Sequence, residues 1–285
     1  MKKIFMPWRK AAKIFLIFTV FMFAAISLVP IYWMFTTSLK ETGATMRMPP
    51  EFFPSNATLA SYRKLIASNY PVLRWLANSL AISFLTVAIS LPISAMMGYS
   101  FAKKRYPLRN ILFLIILATM MLPKQVSLIP LFISIRNMGL VNNYLGAALP
   151  LAAWPFGVFM LRQFMRTIPD SIIDAASIDG ASELYIFIMI ILPLSAPALA
   201  CFAIFMFMAA WSDFMWQLIV LRNMNMWTTN IGISVISKVQ VGGATVVDYS
   251  LSMAASCLAA IPIIILFFSF QKYFVKGIVM GALKD

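Results

Sequence analysis

The chain has no histidine and only two cysteines, Cys201 and Cys257, which both lie inside apolar runs. This set excludes histidine-based catalysis and offers no zinc-ligand spacing, so the cysteines are interpreted as small buried side chains. Charged residues are scarce too, at 11% of 285 residues, whereas a soluble domain carries about 25%. Because hydrophobic residues reach 62%, the sequence lacks the surface of a water-soluble fold and predicts a membrane protein.

Acidic residues are the rarer charged class: nine of them stand against 23 basic residues, which gives a net charge of +14. A strongly basic chain can bind nucleic acid. Here the basic residues are scattered between long apolar runs instead of being clustered, so membrane topology is the better explanation of their excess.

Six stretches are apolar and long enough for a transmembrane helix, which needs about 20 residues. They are Ile14–Leu39, Trp75–Ala102, Asn110–Ile135, Asn137–Leu161, Leu184–Ser212 and Tyr249–Gln271. Only the third contains a charge, Lys124, and the neighbouring Pro123 predicts a local break there. Basic residues before the first stretch are also typical of a signal peptide, but its apolar run is too long, so a retained helix is predicted.

The distribution of Lys and Arg predicts the orientation. With the N-terminus in the cytoplasm, the inner segments hold fourteen basic residues and the outer segments eight, apart from Lys124. Because cytoplasmic loops carry the excess of Lys and Arg, both termini are predicted to be cytoplasmic.

The predicted spans divide the chain into five segments. They are a cytoplasmic N-terminus (1–13), a first transmembrane helix (14–39), an extracytoplasmic segment (40–74), a five-helix core (75–271) and a cytoplasmic tail (272–285). The outer segments Lys40–Arg74 and Trp216–Asp248 are long. Each is interpreted either as a docking surface for a partner or as a plain connection.

An acidic cluster lies where the topology otherwise places basic residues. The segment Ile168–Pro197 follows the fourth predicted span and contains four of the nine acidic residues. They are Asp170, Asp174, Asp179 and Glu183. Such a segment is either a surface helix offered to a soluble partner or an ordinary amphipathic connector, and its chemistry alone leaves both interpretations open.

Local chemistry predicts a helix, a turn and a second helix in this segment. Pro169 and Asp170 favour a helix start, where a carboxylate meets the positive end of the helix dipole. Asp179-Gly180 is a turn signal, because glycine readily adopts positive φ at a helix end. Ser182 and Glu183 suit the start of the next helix. The small side chains of Ala175 and Ala176 would let another surface approach closely.

The motif D-A-A-S-I-D-G-A, followed by Phe187 and L-P-L-S-A-P, resembles the EAA loop of permease subunits in binding-protein-dependent ABC importers. The matching residues are Ala175, Ala176, Asp179, Gly180, Ala181, Phe187, Leu192, Pro193 and Pro197. Asp174 stands where the family usually has Glu. Its charge is kept on a shorter side chain.

Other segments resemble the second permease subunit of maltose-type carbohydrate importers. They are P-P-E-F-F-P at Pro49–Pro54, R-W-L-A-N-S at Arg74–Ser79, W-S-D-F at 211–214 in place of W-N-D-F, and the C-terminal Q-K-Y-F-V-K-G-I-V-M-G-A-L-K.

The resemblance implies an all-α integral membrane protein with six transmembrane helices, the type I ABC importer fold and cytoplasmic termini. It implies a multi-pass transport subunit of the bacterial inner membrane and not an enzyme, importing a sugar or sugar-derived solute. No cofactor would bind directly, because ATP and Mg²⁺ belong to a partner ATPase; none of the eleven glycines precedes a Lys, so the P-loop motif is absent.

The implied partners are a second homologous permease in a heterodimer, an ATPase dimer, an extracytoplasmic solute-binding protein and the bilayer, without nucleic acid. The EAA loop (167–190) would dock on the ATPase through Asp174, Ala175, Ala176, Asp179, Gly180 and Ala181. Gly277 and Gly281 in the tail would also approach the ATPase. Residues near Val239–Ala244 would contact the binding protein or form a plain connector.

Four residues are candidates for the solute pathway: Lys124, Gln125, Trp211 and Asp213. An intramembrane Lys is functional by default, but Lys124 can also form a structural ion pair or reach water. Trp211 and Asp213 suit sugar binding, and they equally suit an interfacial aromatic belt.

Two alternatives to a sugar importer remain at this level. An ion-driven secondary transporter would usually place several ionisable residues within its spans. The same ABC mechanism can also carry glycerol phosphate, an acidic oligosaccharide or a peptide.

Overall fold

The structure is a computed structural model that describes residues 7–41, 45, 49, 51–236, 238–241 and 244–282. Pro50 of the P-P-E-F-F-P motif and Gly242 and Gly243 of the second outer segment lie outside the described residues. Within the described part, the chain is helical apart from one short hairpin, so the predicted all-α class is confirmed.

The α-helices are α1 (Pro7–Ser38), α2 (Ala60–Ala67), α3 (Val72–Lys103), α4 (Arg109–Thr119), α5 (Lys124–Asn137), α6 (Tyr144–Ala152), α7 (Pro155–Met165), α8 (Asp170–Ile178), α9 (Glu183–Tyr185), α10 (Leu192–Leu194), α11 (Ala196–Ser212), α12 (Met215–Val220), α13 (Thr229–Ile236) and α14 (Tyr249–Ala282). Ile186–Ile191 is π-helical and Met224–Met226 is a 3-10 turn. The hairpin pairs β1 (Lys238–Val241) with β2 (Ala244–Val247) antiparallel, with Val239 opposite Val246.

Three of the described helices are long and apolar enough to cross a membrane unaided, in α1, α3 and α14. Three further spans arise if each bent helix pair counts as one: α4 with α5, α6 with α7, and Glu183–Leu194 with α11, bent by 98°, 48° and 77°. The sequence predicted six spans but only one break, at Lys124.

Proline explains the bends. Pro123 is extended immediately before α5, and Pro155 is at the start of α7. Pro197 occupies the first turn of α11. Because proline lacks an amide proton and clashes with the preceding turn, a new helix begins more readily at these positions than the old one continues.

One compact unit comprises Met1–Tyr70 and Ile233–Leu258. Its described α1 side chains from Ala12 to Tyr32 are almost all exposed, as expected of a helix surrounded by lipid. In the outer segment, the Lys64 ammonium lies 3.1 Å from the Asp248 carboxylate, which fixes α2 to the chain just before α14.

The other unit comprises Pro71–Gly232 and Ala259–Asp285, and α3 packs against α6, α7 and α11 within it. Small side chains allow this close approach. A Cβ added at Gly157 of α7 would lie 2.7 Å from Ser94 Oγ and 2.2 Å from the Phe202 ring, and one at Gly98 would lie 3.0 Å from Leu161 Cβ. Small residues are the usual means of close helix packing in membranes.

The R-W-L-A-N-S motif fixes the first turns of α3. Trp75 Nε1 donates to the Met224 carbonyl at 2.7 Å. The Asn78 amide donates to the carbonyls of Asn225 and Trp227 at 2.9 and 2.8 Å, and its oxygen accepts from the Tyr144 hydroxyl. With one end of α3 held in this way, its other end at Lys103 is positioned against the acidic segment.

Candidate functional site

The acidic segment folds as predicted, with a helix, a turn and a new helix. α8 begins directly after Pro169 and ends at Ile178, with Asp179 as its C-cap. Gly180 has φ of +80°, and the Ala181 amide donates to the Ala176 carbonyl at 3.0 Å to close the turn. A side chain at Gly180 would meet open space, so the strain of a substitution there is conformational and not steric.

The second helix of the segment starts at Ser182, whose hydroxyl accepts from the Tyr185 amide at 3.3 Å. It widens at once into the π-helical turn Ile186–Ile191. π-helical turns are rare and occur frequently at functional sites. Here the turn lies within the first half of the broken fifth span.

α8 presents two different faces. Ile173 is buried, and Ala176 packs with it against the core formed by α3, α7 and α11. The opposite face, at helical spacing i, i+3, i+4 and i+7, is exposed and consists of Ser171, Asp174, Ala175 and Ile178. Ile178 is 86% exposed, the highest exposure of any large apolar side chain among the described residues.

The predicted docking residues therefore fall into two groups. Asp174, Ala175, Asp179 and Gly180 are exposed. Ala176 and Ala181 are partly buried and pack against the core. The first group is free to meet a partner, while the second holds α8 in place.

Lys103 fixes the start of α8. Its ammonium donates to the Ile168 carbonyl and to Asp170 Oδ1, the latter at 2.7 Å. The Lys103 side chain is 4% exposed, whereas that of Asp170 is 72% exposed. The charge at the end of α3 thus lies under the first turn of α8.

Lys104 fixes the other side of the turn. Its ammonium forms an ion pair with the Glu183 carboxylate, which also accepts from the Tyr99 hydroxyl at 3.3 Å. The Tyr99 ring lies 5.2 Å from the Phe187 ring. Two consecutive lysines of one helix end thus hold the acidic segment before and after α8, and we call this arrangement the lysine clamp.

Electrostatics define the pH range of the lysine clamp. The hydrogen bond from Lys103 lowers the pKa of Asp170, so this pair stabilises the fold above the ordinary carboxyl range and is lost as pH falls through the lowered value. Burial lowers the pKa of Lys104, but its hydrogen bonds to Glu183 and Tyr99 outweigh burial and raise it. That pair is therefore present at neutral pH and is lost as pH rises through the raised value.

The sequence did not identify the lysine clamp. Lys103 and Lys104 counted only toward orientation, although the run K-K-R at the end of a span facing an acidic cluster was a usable signal. Ser171 and Ile178 were also missed, and the helical spacing from Asp174 and Ala175 would have found them.

The candidate pathway residues are only partly brought together. Lys124 and Gln125 are exposed at the start of α5, at the 98° bend. Lys124 is near enough to Asp213 to interact electrostatically with it. Trp211 is buried and stacks on Phe207 at 5.7 Å, so it presents no free ring face.

Asp213 has a structural role as well. Its carboxylate accepts from the Trp216 amide at 3.1 Å and so caps the start of α12. Gly277 and Gly281 lie in the last part of α14, where side chains are not described. Their approach to an ATPase stays a prediction. Among the described residues, no group of three or more Cys, Asp or Glu is placed to hold a metal ion.

Residues 65–280 match the family of inner membrane components of binding-protein-dependent transport systems. The chain belongs to this family. The resemblance drawn from the acidic segment is thereby confirmed, and the permease is a transport component, not an enzyme.

Two relatives are similar in sequence to most of this chain. The arabinooligosaccharides transport system permease protein AraQ of Halalkalibacterium halodurans is 36% identical over 249 residues, covering 87% of this permease and 86% of AraQ. The sn-glycerol-3-phosphate transport system permease protein UgpE of Escherichia coli O157:H7 is 31% identical over 260 residues, covering 90% and 92%.

Solved structures agree on the fold. A bacterial ABC transporter involved in the import of the acidic polysaccharide alginate matches with a TM-score of 0.81 at 23% identity, covering 96% of this permease and 100% of that chain. The MetNI methionine ABC transporter matches with a TM-score of 0.56 at 17% identity, covering 72% and 95%. The permease thus has the type I importer fold predicted from its sequence.

Replacing Lys103 with Met is expected to loosen α8, because Asp170 and the Ile168 carbonyl both lose their donor. Amide hydrogen exchange across residues 168–178 of the purified permease should become several-fold faster. The matched control is Lys64→Met, which removes the ion pair with Asp248 instead and should leave exchange in α8 unchanged. Equal exchange rates in wild type and Lys103→Met would contradict the assigned role of Lys103.

Proposed function

We propose that this permease is the membrane subunit of an ATP-driven importer in a bacterial inner membrane, and that α8 is its contact with a separate ATPase dimer. The observation that carries the proposal is the exposed face of α8 on a segment held by two ion pairs. Both termini lie in the cytoplasm in this account, in agreement with the excess of Lys and Arg on that side.

In the proposed contact, one exposed apolar side chain lies between two acidic side chains. Ile178 supplies an exposed side chain large enough to fill a pocket. Asp174 and Asp179 lie on either side of it along the chain and would pair with basic residues of the ATPase. Ala175 leaves room for close approach between them. Interfaces of this kind depend on a few buried anchors, and the surrounding polar groups give specificity.

The lysine clamp would carry the motion of the ATPase into the membrane. A displacement of α8 pulls directly on Ile168, Asp170 and Glu183, which are bonded to the end of α3. Because α3 packs closely on α7 and α11, it would transmit such a displacement as a rigid element between two arrangements of the spans.

The proposed cargo is a sugar or sugar-derived solute. The names of the relatives refer to arabinooligosaccharides and to sn-glycerol-3-phosphate, which are both rich in hydroxyl groups. Glycerol phosphate is the second candidate, since Lys124 is exposed at the bend between α4 and α5 and would favour an anion. An ion-driven transporter is set aside because the family belongs to binding-protein-dependent systems.

A second homologous permease would complete the pathway, and an extracytoplasmic binding protein would deliver the solute. The segment around Val239–Ala244 is the proposed contact with that binding protein. In the described part, it is a two-stranded hairpin and not a plain loop. ATP and Mg²⁺ would be bound by the ATPase alone.

The docking proposal predicts the effect of Ile178→Asp. A carboxylate at the centre of the contact should lower affinity for the ATPase by about 2 kcal/mol or more, which is roughly thirtyfold. The measurement is co-purification of the ATPase with the tagged permease from membranes. Ile66→Asp is the matched control, because Ile66 is 71% exposed on α2 in the outer segment. Equal ATPase recovery with both variants would exclude α8 as the contact.

The cargo proposal is tested with proteoliposomes that contain the permease, its partner permease, the ATPase and the binding protein. ATP-dependent uptake is measured for radiolabelled arabinooligosaccharide, glycerol phosphate and a peptide. Uptake of the oligosaccharide should exceed that of the peptide, and Lys124→Ala should reduce only the uptake of glycerol phosphate. Preferential uptake of the peptide would refute the carbohydrate assignment while leaving the ATPase contact intact.

A further inference from the structure

A basic cavity lies at the loop between α3 and α4. Its volume is about 420 Å³, and it is lined by Arg105, Tyr106, Leu108, Arg109, Asn110 and Ile111. This size is within the range of ligand pockets in proteins, which is about 300–1,000 Å³. None of these residues was selected as a site from the sequence.

The charge of this cavity is not neutralised locally. Two carboxylates of the acidic segment, Asp170 and Glu183, are already paired with Lys103 and Lys104. Among the described residues, no carboxylate lies within 4 Å of the Arg105 or Arg109 guanidinium. The Asp170 charge acts on Arg105 only at longer range.

Arg109 is held in place while keeping donors to offer. One of its terminal nitrogens donates to the Lys104 carbonyl at 2.7 Å, which closes the loop. A guanidinium has five N–H groups, so most remain for an anion. Arg105 is exposed on the same wall. Guanidinium groups are suited to binding phosphate, because each offers several N–H donors in a planar fork.

Further positive charge comes from Arg162 of α7, which contacts both of the helices that flank the cavity. The Arg162 guanidinium stacks over the Phe113 ring at 3.8 Å and donates to the Phe101 carbonyl at 3.2 Å. These contacts occupy Arg162, so it would contribute electrostatic potential and no direct bond. Arg166 is exposed one turn further along the chain.

The remaining wall is apolar and exposed. Leu108 and Ile111 are 64% and 54% exposed. Ile115, one turn beyond Ile111 on α4, is also exposed, and α4 begins a candidate membrane span. The apolar surface therefore continues from the cavity toward the hydrocarbon region. A soluble subunit cannot follow that surface, whereas an acyl chain can.

We propose that this cavity binds an anionic phospholipid of the inner membrane, with the headgroup phosphate at Arg105 and Arg109 and an acyl chain along Ile111 and Ile115. Basic pockets beside cytoplasmic helix ends are suited to such headgroups. None of the lining residues belongs to the exposed face of α8.

The test is native mass spectrometry of the purified transporter, which contains the full-length permease, titrated with phosphatidylglycerol or with zwitterionic phosphatidylcholine. Wild type should bind phosphatidylglycerol more tightly. Arg105→Gln should weaken that binding about fivefold, the value of roughly one basic residue near a membrane surface. Arg105→Lys should restore most of the affinity. Arg136→Gln, an exposed residue at the far end of α5, is the matched control and should bind as wild type does.

Three outcomes would overturn the proposal. One is equal affinity for the two lipids in wild type. Another is displacement of phosphatidylglycerol by inorganic phosphate at matched concentration, which would mark a site for the free anion. The third is unchanged lipid binding in Arg105→Gln, and loss of the ATPase from the same variant would then mark a protein contact. Arg109→Gln is a poorer probe, because Arg109 also closes the loop.

Discussion

The orientation of the acidic segment depends on the ion pairs that it forms with Lys103 and Lys104 at the end of α3. They join residues that are far apart in sequence, since Asp170 is 67 positions from Lys103. Without them, the nine-residue α8 would be held to the core by apolar packing alone, through Ile173 and Ala176 within the helix and Ile168 and Ala181 beside it. Short helices are marginal in isolation, so tertiary contacts must hold α8 in its orientation.

The need for a rigid α8 explains features elsewhere in the molecule. α3 is a suitable anchor because it packs closely on its neighbours: Gly98 of α3 lies against Leu161 of α7, and Gly157 of α7 lies against Ser94 of α3 and Phe202 of α11. Its opposite end is fixed by Trp75 and Asn78 through hydrogen bonds to residues 224–227. A helix that is fixed at one end and packed along its length can transmit a displacement as a rigid element.

Several elements could be predicted from the sequence because they depend on local chemistry. The turn at Gly180 and the helix start at Ser182 follow from short-range preferences of glycine and serine. The number of spans follows from apolar length. The proline-associated bends at Pro155 and Pro197 were not predicted, since a proline within a long apolar run is also compatible with an unbroken helix, as Pro92 in α3 shows.

The sequence could not predict contacts between side chains that are far apart along the chain. The K-K-R run indicates pairing with the acidic cluster but not which lysine meets Asp170, and nothing local indicates that Trp211 is buried. Trp211 was a candidate pathway residue because of its chemistry, and its burial against Phe207 assigns it to packing instead. Lys124 and Asp213 were selected separately, and the fold brings them within electrostatic reach of each other.

The central claim is that the lysine clamp transmits motion between α8 and the spans. The most direct measurement is the number of solute molecules imported per ATP hydrolysed, in proteoliposomes with wild type or the Lys103→Met/Lys104→Met double variant. The account predicts that the variant still binds the ATPase and hydrolyses ATP, while import per ATP falls sharply. An unchanged ratio of import to hydrolysis would contradict it.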